Sequence, residues 1–249
     1  FGRGLVEKPS DFGAGGGRPS HPELLDWLAD CFQQNNYSLK SLHRLIVTSM
    51  TYRQSSASRP DALGRDRDNR LLWRFAPKRL EGEAVRDSLL QAAGMLNTQQ
   101  SGPSYEDVKE IHFNAGRYYH PIEVKGPKFD RRTIYRFSPR GERDAILDTF
   151  DCPDPSATAP TRAVTTTPLQ ALSLSNNVFV WRMADGLANR VQKEAGEALF
   201  GQVRRAWRLS LGRDPDEAER SQATAMIANH GLPSLCRALF NSSEFVVIE

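Results

Sequence analysis

A chain of 249 residues with 39% hydrophobic and 25% charged residues has the composition of a folded globular protein, which excludes a disordered tail. Lys and Arg number 33 against 30 Asp and Glu, and the net charge of +3 is too small by itself to call for nucleic acid or an anionic membrane. A mean hydropathy of -0.53, with no apolar run approaching about 20 residues, leaves no room for a membrane-spanning helix.

The basic residues divide into 26 Arg and 7 Lys, a skew that fits GC-rich bacterial coding and also favours bidentate partners for carboxylate, sulfate or phosphate. The length sits near the upper end of what one hydrophobic core supports. We therefore expect one mainly α domain over residues 1–249, a multi-helix fold with a small inserted β-hairpin. A helical lobe is expected at 1–110, the hairpin and turn insert at 111–160, and a C-terminal helical lobe at 161–249.

The chain begins Phe1-Gly2-Arg3-Gly4-Leu5-Val6, without a starting Met or signal-peptide regions, and reads as a piece of something longer. Residues 7–20 are rich in Gly, Pro and Ser and predict an irregular loop. The run Gly13 to Gly17 has neither the spacing nor the following Lys of a phosphate-binding loop. Ser20 predicts a helix cap with Pro22 just inside, and Leu24, Leu25, Leu28, Cys31 and Phe32 follow at helical spacing. Ser38 predicts the next cap, ahead of Leu39, Leu42, Leu45, Ile46 and Met50. A polar loop is expected at 54–68, then a third helical stretch from Asn69 to Leu96 interrupted near Pro77, the three helices packing together.

Between Ile111 and Arg140, aromatic and β-branched residues alternate with Gly and Pro. This predicts two short strands joined by a turn near Lys125-Gly126-Pro127-Lys128. A short helix is expected at 142–150 and a Pro-governed turn at 150–155. Thr167-Pro168 starts another helix, which breaks at Asn176-Asn177 and resumes through Val191. Helices at 197–211 and 215–229 form a hairpin about Gly212, a last helix covers 233–241, and Phe245 to Ile248 form an apolar tail expected to dock on the core.

Familiar catalytic patterns are missing: no G-x-S-x-G, S-x-x-K or H-E-x-x-H occurs. Cys31, Cys152 and Cys236 stand alone in sequence, so neither covalent c-type haem attachment nor a zinc site is supported, and Cys31 reads as a buried free thiol. His21, His43, His112, His120 and His230 show no ligand spacing. His112 and His120, flanking the first expected strand, are the nearest candidates for acid/base work. No metal or other cofactor is called for. A glycosidase pair needs only two carboxylates about 5 to 10 Å apart, which leaves Asp151 with Asp154, and Glu81 with Glu83, as candidates. The prolines beside the first pair favour turn and capping roles, and Arg79 is placed to pair with Glu83.

The segment 117–143 holds eight basic residues against three acids. Arg131, Arg132, Arg136 and Arg140, with Tyr135 as a stacking surface, form the candidate binding set for an anionic glycan or a partner domain. The other reading is a set of internal ion pairs with Glu106, Asp107 and Glu110.

The stretches PSHPELLDWLA (19–29), SLKSLHRLIVTSMTYRQSS (38–56), NRLLWRF (69–75) and RLEGEAVRDSLL (79–90), followed in order by RRTIYRF, FDCPDPS, TTTPLQALSLSN, LGRDPDEAE and FNSSEF, resemble the C-terminal domain of large planctomycete secreted proteins. That family is known as domain of unknown function 1553. The resemblance covers essentially the whole chain and departs from it at Cys152, where a small residue such as Ala is expected. It implies an exported bacterial multidomain protein, periplasmic or extracellular, often carrying a cytochrome c-like domain. The partners it implies are upstream domains of the same polypeptide, with a link to polysaccharide use or extracytoplasmic redox chemistry. It carries over no catalytic residues. The function expected is a non-catalytic binding or assembly domain without nucleic-acid partners, the alternative being a carbohydrate-active enzyme domain with Asp/Glu acid-base groups and Arg clamps.

Overall fold

The computed structural model describes residues 1–114 and 116–248. Ten α-helices dominate those residues, and the longest strands pair in one antiparallel hairpin, so the fold is mainly helical as the periodicity indicates. The chain divides into two compact units, Phe1–Lys78 with the last residues from Val247, and Arg79–Val246.

The first unit contains α1 (Pro22–Gln34), α2 (Leu39–Thr48) and α3 (Pro60–Arg65). Pro22 occupies the first turn of α1, but the cap position falls to His21, and the Ser20 hydroxyl bonds the His21 ring at 2.9 Å instead of capping. Ser38 caps α2 as expected, its Oγ accepting from Ser41 N–H at 3.3 Å. α3 forms inside the expected polar loop because Pro60 pre-sets its first turn.

The helix expected from Asn69 is absent before Pro77. Asn69 and Leu72 take left-handed backbone, with φ of 52° and 54°. The Asp66 carboxylate accepts from the backbone N–H groups of Arg70 and Leu71, at 2.9 and 2.7 Å. A side chain that bonds the local backbone this way competes with a helix and wins here. Phe1, Tyr52 and Phe75 stack edge to face, with centroids 5.4 Å apart at each step.

The second unit begins with α4 (Gly82–Ala92), followed by β1 (Val108–Phe113) and β2 (Gly116–Pro121). It continues through one 3-10 turn (Thr133–Tyr135), α5 (Ala145–Thr149), α6 (Pro168–Asn176) and α7 (Val178–Ala195). α8 (Leu199–Ser210), α9 (Glu217–His230) and α10 (Leu232–Phe240) complete it. Thr167 and Gln170 make a capping box for α6, and Asn177 caps α7, which accounts for the break read at Asn176-Asn177.

α7 carries the core, burying Val180, Met183, Leu187 and Val191 completely against α10 and α8 on one side and α4 on another. α4 contributes Val85, Leu89 and Leu90, each fully buried. Gly186 permits the approach: a Cβ there would lie 2.9 Å from the Met95 sulfur and 3.2 Å from Ala93 Cβ. The apolar tail docks through Phe245 and Val246, both buried, and Val246 O accepts from Leu80 N–H at 2.8 Å.

The hairpin differs from expectation. β1 and β2 pair from Val108↔Pro121 to Phe113↔Gly116, so the reversal lies at Asn114, whose φ is 47°, and not at 125–128. Gly126 does make a tight turn, accepting from Phe129 and Asp130 N–H groups, but no paired strands flank it. Residues 133–137, expected as a strand, begin with the 3-10 turn because Asp87 of α4 takes both Thr133 N–H and Thr133 Oγ, at 2.8 and 2.6 Å.

Candidate functional site

The arginine-rich segment follows the hairpin and lies against α4. Arg131 is 6% exposed. Its guanidinium donates to the carbonyls of Pro103, Gln99 and Ser101, at 2.8, 3.3 and 2.6 Å, and stacks 4.0 Å from the Tyr135 ring centroid. The Tyr135 hydroxyl accepts from Ser101 N–H at 3.0 Å. Together these two residues fasten the 99–103 loop.

Arg136, 9% exposed, donates to Asp107 at 2.8 Å and to both oxygens of Glu142 at 3.1 and 3.2 Å, with Asp144 at 3.9 Å. Burial works to lower the Arg136 pKa, but these carboxylates overcome it and raise the value above that of a free guanidinium. Arg132 and Arg140 remain exposed, Arg132 with Asp87 at 3.6 Å. The structure thus brings Arg131 and Tyr135 together, holds Arg136 in a buried ionic cluster, and leaves Arg132 and Arg140 at the surface. None of the five lies on the hairpin where the sequence put them.

Two residues outside the candidate binding set complete this bracing. Asp130, 2% exposed, receives the Arg182 guanidinium of α7 in a fork at 2.7 and 3.1 Å. Arg86 of α4 is also buried and donates to the carbonyls of Arg131 and Phe129. The signal available was one acid, Asp130, in an otherwise basic run beside Arg131, which implies a buried partner from elsewhere in the chain.

The carboxylate candidates are also engaged. Glu83 holds Arg162 bidentately at 2.8 and 3.0 Å, and Glu81 shares the same guanidinium at 3.1 Å. Partial burial would raise the Glu83 pKa, but the Arg162 hydrogen bonds and charge outweigh it and hold the carboxyl below its ordinary value. Arg79, placed by the sequence opposite Glu83, turns to Thr166 Oγ at 3.0 Å. Glu81, Glu83, Asp87, Arg132 and Arg162 line an open depression of about 540 Å³.

Asp151 accepts from Thr165 N–H and Oγ, at 2.7 and 2.9 Å, and Asp154 from Ser156 N–H at 2.8 Å and Arg143 at 3.0 Å. Both therefore organise loops. His112 and His120 lie on the two strands of the hairpin, where the register sets them against Arg117 and Lys109, and exposed His112 has Glu110 at 3.3 Å. No group of three His, Cys, Asp or Glu side chains suited to a metal occurs among the described residues.

The first unit offers a different kind of site. Of its described residues only Phe75 is buried, and neither α1 nor α2 buries any residue, although both are strongly amphipathic. Leu25, Leu28, Cys31 and Phe32 of α1 are half-covered, while Leu24 and Trp27 stand outward, Trp27 at 51% exposure. On α2, Leu45 and Val47 are likewise outward, and Met50 beyond it is 85% exposed. A groove of about 590 Å³ opens beside Leu24, Leu28 and Ile46. The sequence held the clue: Leu24, Leu25, Trp27 and Leu28 wrap more of α1 than one core-facing stripe needs.

A family model described as a protein of unknown function (DUF1553), PSD1, matches residues 1–227. No curated protein and no solved structure matches the chain.

Proposed function

This chain belongs to the PSD1 family of proteins of unknown function (DUF1553), and from that premise and the geometry we propose that it is a non-catalytic assembly and binding domain of an exported bacterial multidomain protein. One observation carries the reading: a unit built on two amphipathic helices buries no residue of either and leaves Leu24, Trp27, Leu39, Leu45 and Val47 exposed. Exposed apolar side chains concentrated in one unit favour a protein-binding role, because leaving them in water forgoes about 25 cal/mol per Å² of burial. The α1–α2 face is the docking surface, and the second unit is braced internally by its own ion pairs.

Hydrogen exchange of residues 22–50 tests this, measured in the isolated chain over a dilution series and in the longer polypeptide. Protection in a concentrated or extended setting supports the assembly role. Equally fast exchange in every setting overturns it. The non-catalytic part is supported by the candidate carboxylates, since Glu81 and Glu83 share Arg162 while Asp151 and Asp154 hold loop groups. Polysaccharide hydrolysis that disappears in a folded Glu83→Gln variant would refute it.

Arg132 and Arg140 are the two members of the arginine set exposed enough to meet an anionic polysaccharide, the ligand class proposed for the second unit. A salt-sensitive thermal shift with a sulfated polymer, lost in Arg132→Ala/Arg140→Ala, supports that contact, and no shift with any polyanion removes it.

A further inference from the structure

The two helices of the docking face carry opposite charge. α1 holds Glu23, Asp26 and Asp30 with no Lys or Arg, and α2 holds Lys40 and Arg44, with His43, and no acid. The two sets lie close enough in sequence to pair with each other. Here none does, and no ion pair among the described residues involves any residue before Glu81.

Resting on the assembly reading above, we propose that the occupant of the α1–α2 face is a second copy of this chain, in a two-fold dimer where the acidic helix of each copy packs on the basic helix of the other. The connection Asn35–Ser38 has the length of an antiparallel helical hairpin, the arrangement the proposal takes for α1 and α2. A two-fold axis parallel to the pair, lying between two such layers, puts α1 of one copy over α2 of the next. An isologous interface requires that a surface complement itself under this rotation. An acidic and a basic helix side by side satisfy the requirement, whereas two helices of like charge would not. The contact buries Trp27, which shares a face of α1 with Glu23 and Asp30, against Val47 of the other copy, which shares a face of α2 with Lys40 and Arg44.

Sedimentation velocity of the chain from about 1 to 100 µM, the range that brackets a micromolar dissociation constant, should show a particle of twice 27.9 kDa that dissociates on dilution. Two double variants then test the pairing. Asp26→Lys/Asp30→Lys makes both helices basic, and Lys40→Glu/Arg44→Glu makes both acidic. Each variant alone should sediment as a monomer with unchanged helical circular dichroism, and an equimolar mixture should recover the dimer. If a double variant loses helix, Trp27→Lys replaces it and should be monomeric.

A wild-type chain that stays at 27.9 kDa throughout overturns the second-copy proposal, as does a dimer that persists in both reversed variants. In either case slow exchange at 22–50 confined to the longer polypeptide leaves the assembly reading standing, with an upstream domain as occupant. Fast exchange there as well fails both.

Discussion

The two units of this chain are equally rich in Arg and Asp and use them in opposite ways. From Glu81 onward the charges are cross-linked, some inside and some at the surface: Arg136 with Asp107 and Glu142 and Arg182 with Asp130 are buried, while Arg162 holds Glu81 and Glu83 near the surface. Before Lys78 most of them stand in solvent without an ionic partner, beside exposed leucines and a tryptophan. The second unit pairs many of its charges internally, and the first leaves apolar side chains of its helices exposed. Charge density alone therefore says little about function, and what decides is whether the partner of each charge lies in the same unit.

The largest expected effect comes from removing the cation at the centre of the buried cluster. Arg136→Met leaves Glu142, whose side chain is 2% exposed, with Asp107 and no guanidinium. Breaking such a pair costs about 3 to 5 kcal/mol. Arg44→Met on α2 should change monomer stability by less than about 0.5 kcal/mol. Urea unfolding of both variants at dilute concentration reads the difference, and equal losses would break the contrast between the units.

Core truncation sharpens it next. Leu89→Ala empties a fully buried site on α4 and should cost about 2 to 5 kcal/mol. Leu28→Ala on half-covered α1 should cost about 1 kcal/mol or less in the monomer. A much larger loss there under dilute conditions would mean that the first unit already has its core.

Much of the second unit was readable in sequence because its signals are local. The capping box at Thr167 and Gln170, the cap at Asn177 and the helix stop at Gly212 each lie within one turn of the boundary they set. The errors arose where distant groups decide. Residues 133–137 read as a strand by composition, but Asp87, 46 residues earlier, claims Thr133. Asn69 to Leu96 read as one interrupted helix, yet the boundary between units falls inside it. The arginine set was legible as a group, though its mode of use was not: Arg131 and Arg136 face inward because carbonyls and acids from 99–107 and 142 reach them.

Acid should separate the units more gently. Hydrogen bonds from Arg213 hold the Glu219 carboxyl down to about 2, against the opposing effect of slight burial. A carboxylate depressed in the folded state stabilises it fully above its unfolded value, and that contribution fades as pH falls from about 4.5 toward 2. Arg208 and Arg204 hold Asp214 lower still. The melting temperature of the second unit should therefore decline over this window, and Glu219→Gln should flatten the decline. Because both groups are largely in solvent, the shift will be small beside that of Arg136→Met, and an unchanged slope would show that water screens the pair entirely.

The thiols give the finest test, since one cysteine lies in the first unit and two in the second. Cys236 is fully buried among α10 residues, and burial pushes its thiol up to about 12. Cys152 is half-buried, and that burial together with the neighbouring Glu83 pushes it up to about 11. Both are held away from the reactive thiolate. Cys31 was expected to be buried on α1 and is only partly covered. Timed alkylation followed by peptide mass spectrometry should label Cys31 first, Cys152 slowly and Cys236 only after unfolding. If the α1–α2 face pairs with a second copy, labelling of Cys31 should slow as concentration rises while the order of the other two stays fixed. Concentration-independent labelling of Cys31 would place the thiol outside the contact, and labelling of Cys236 in the native protein would show that the braced unit opens as readily as the uncovered one.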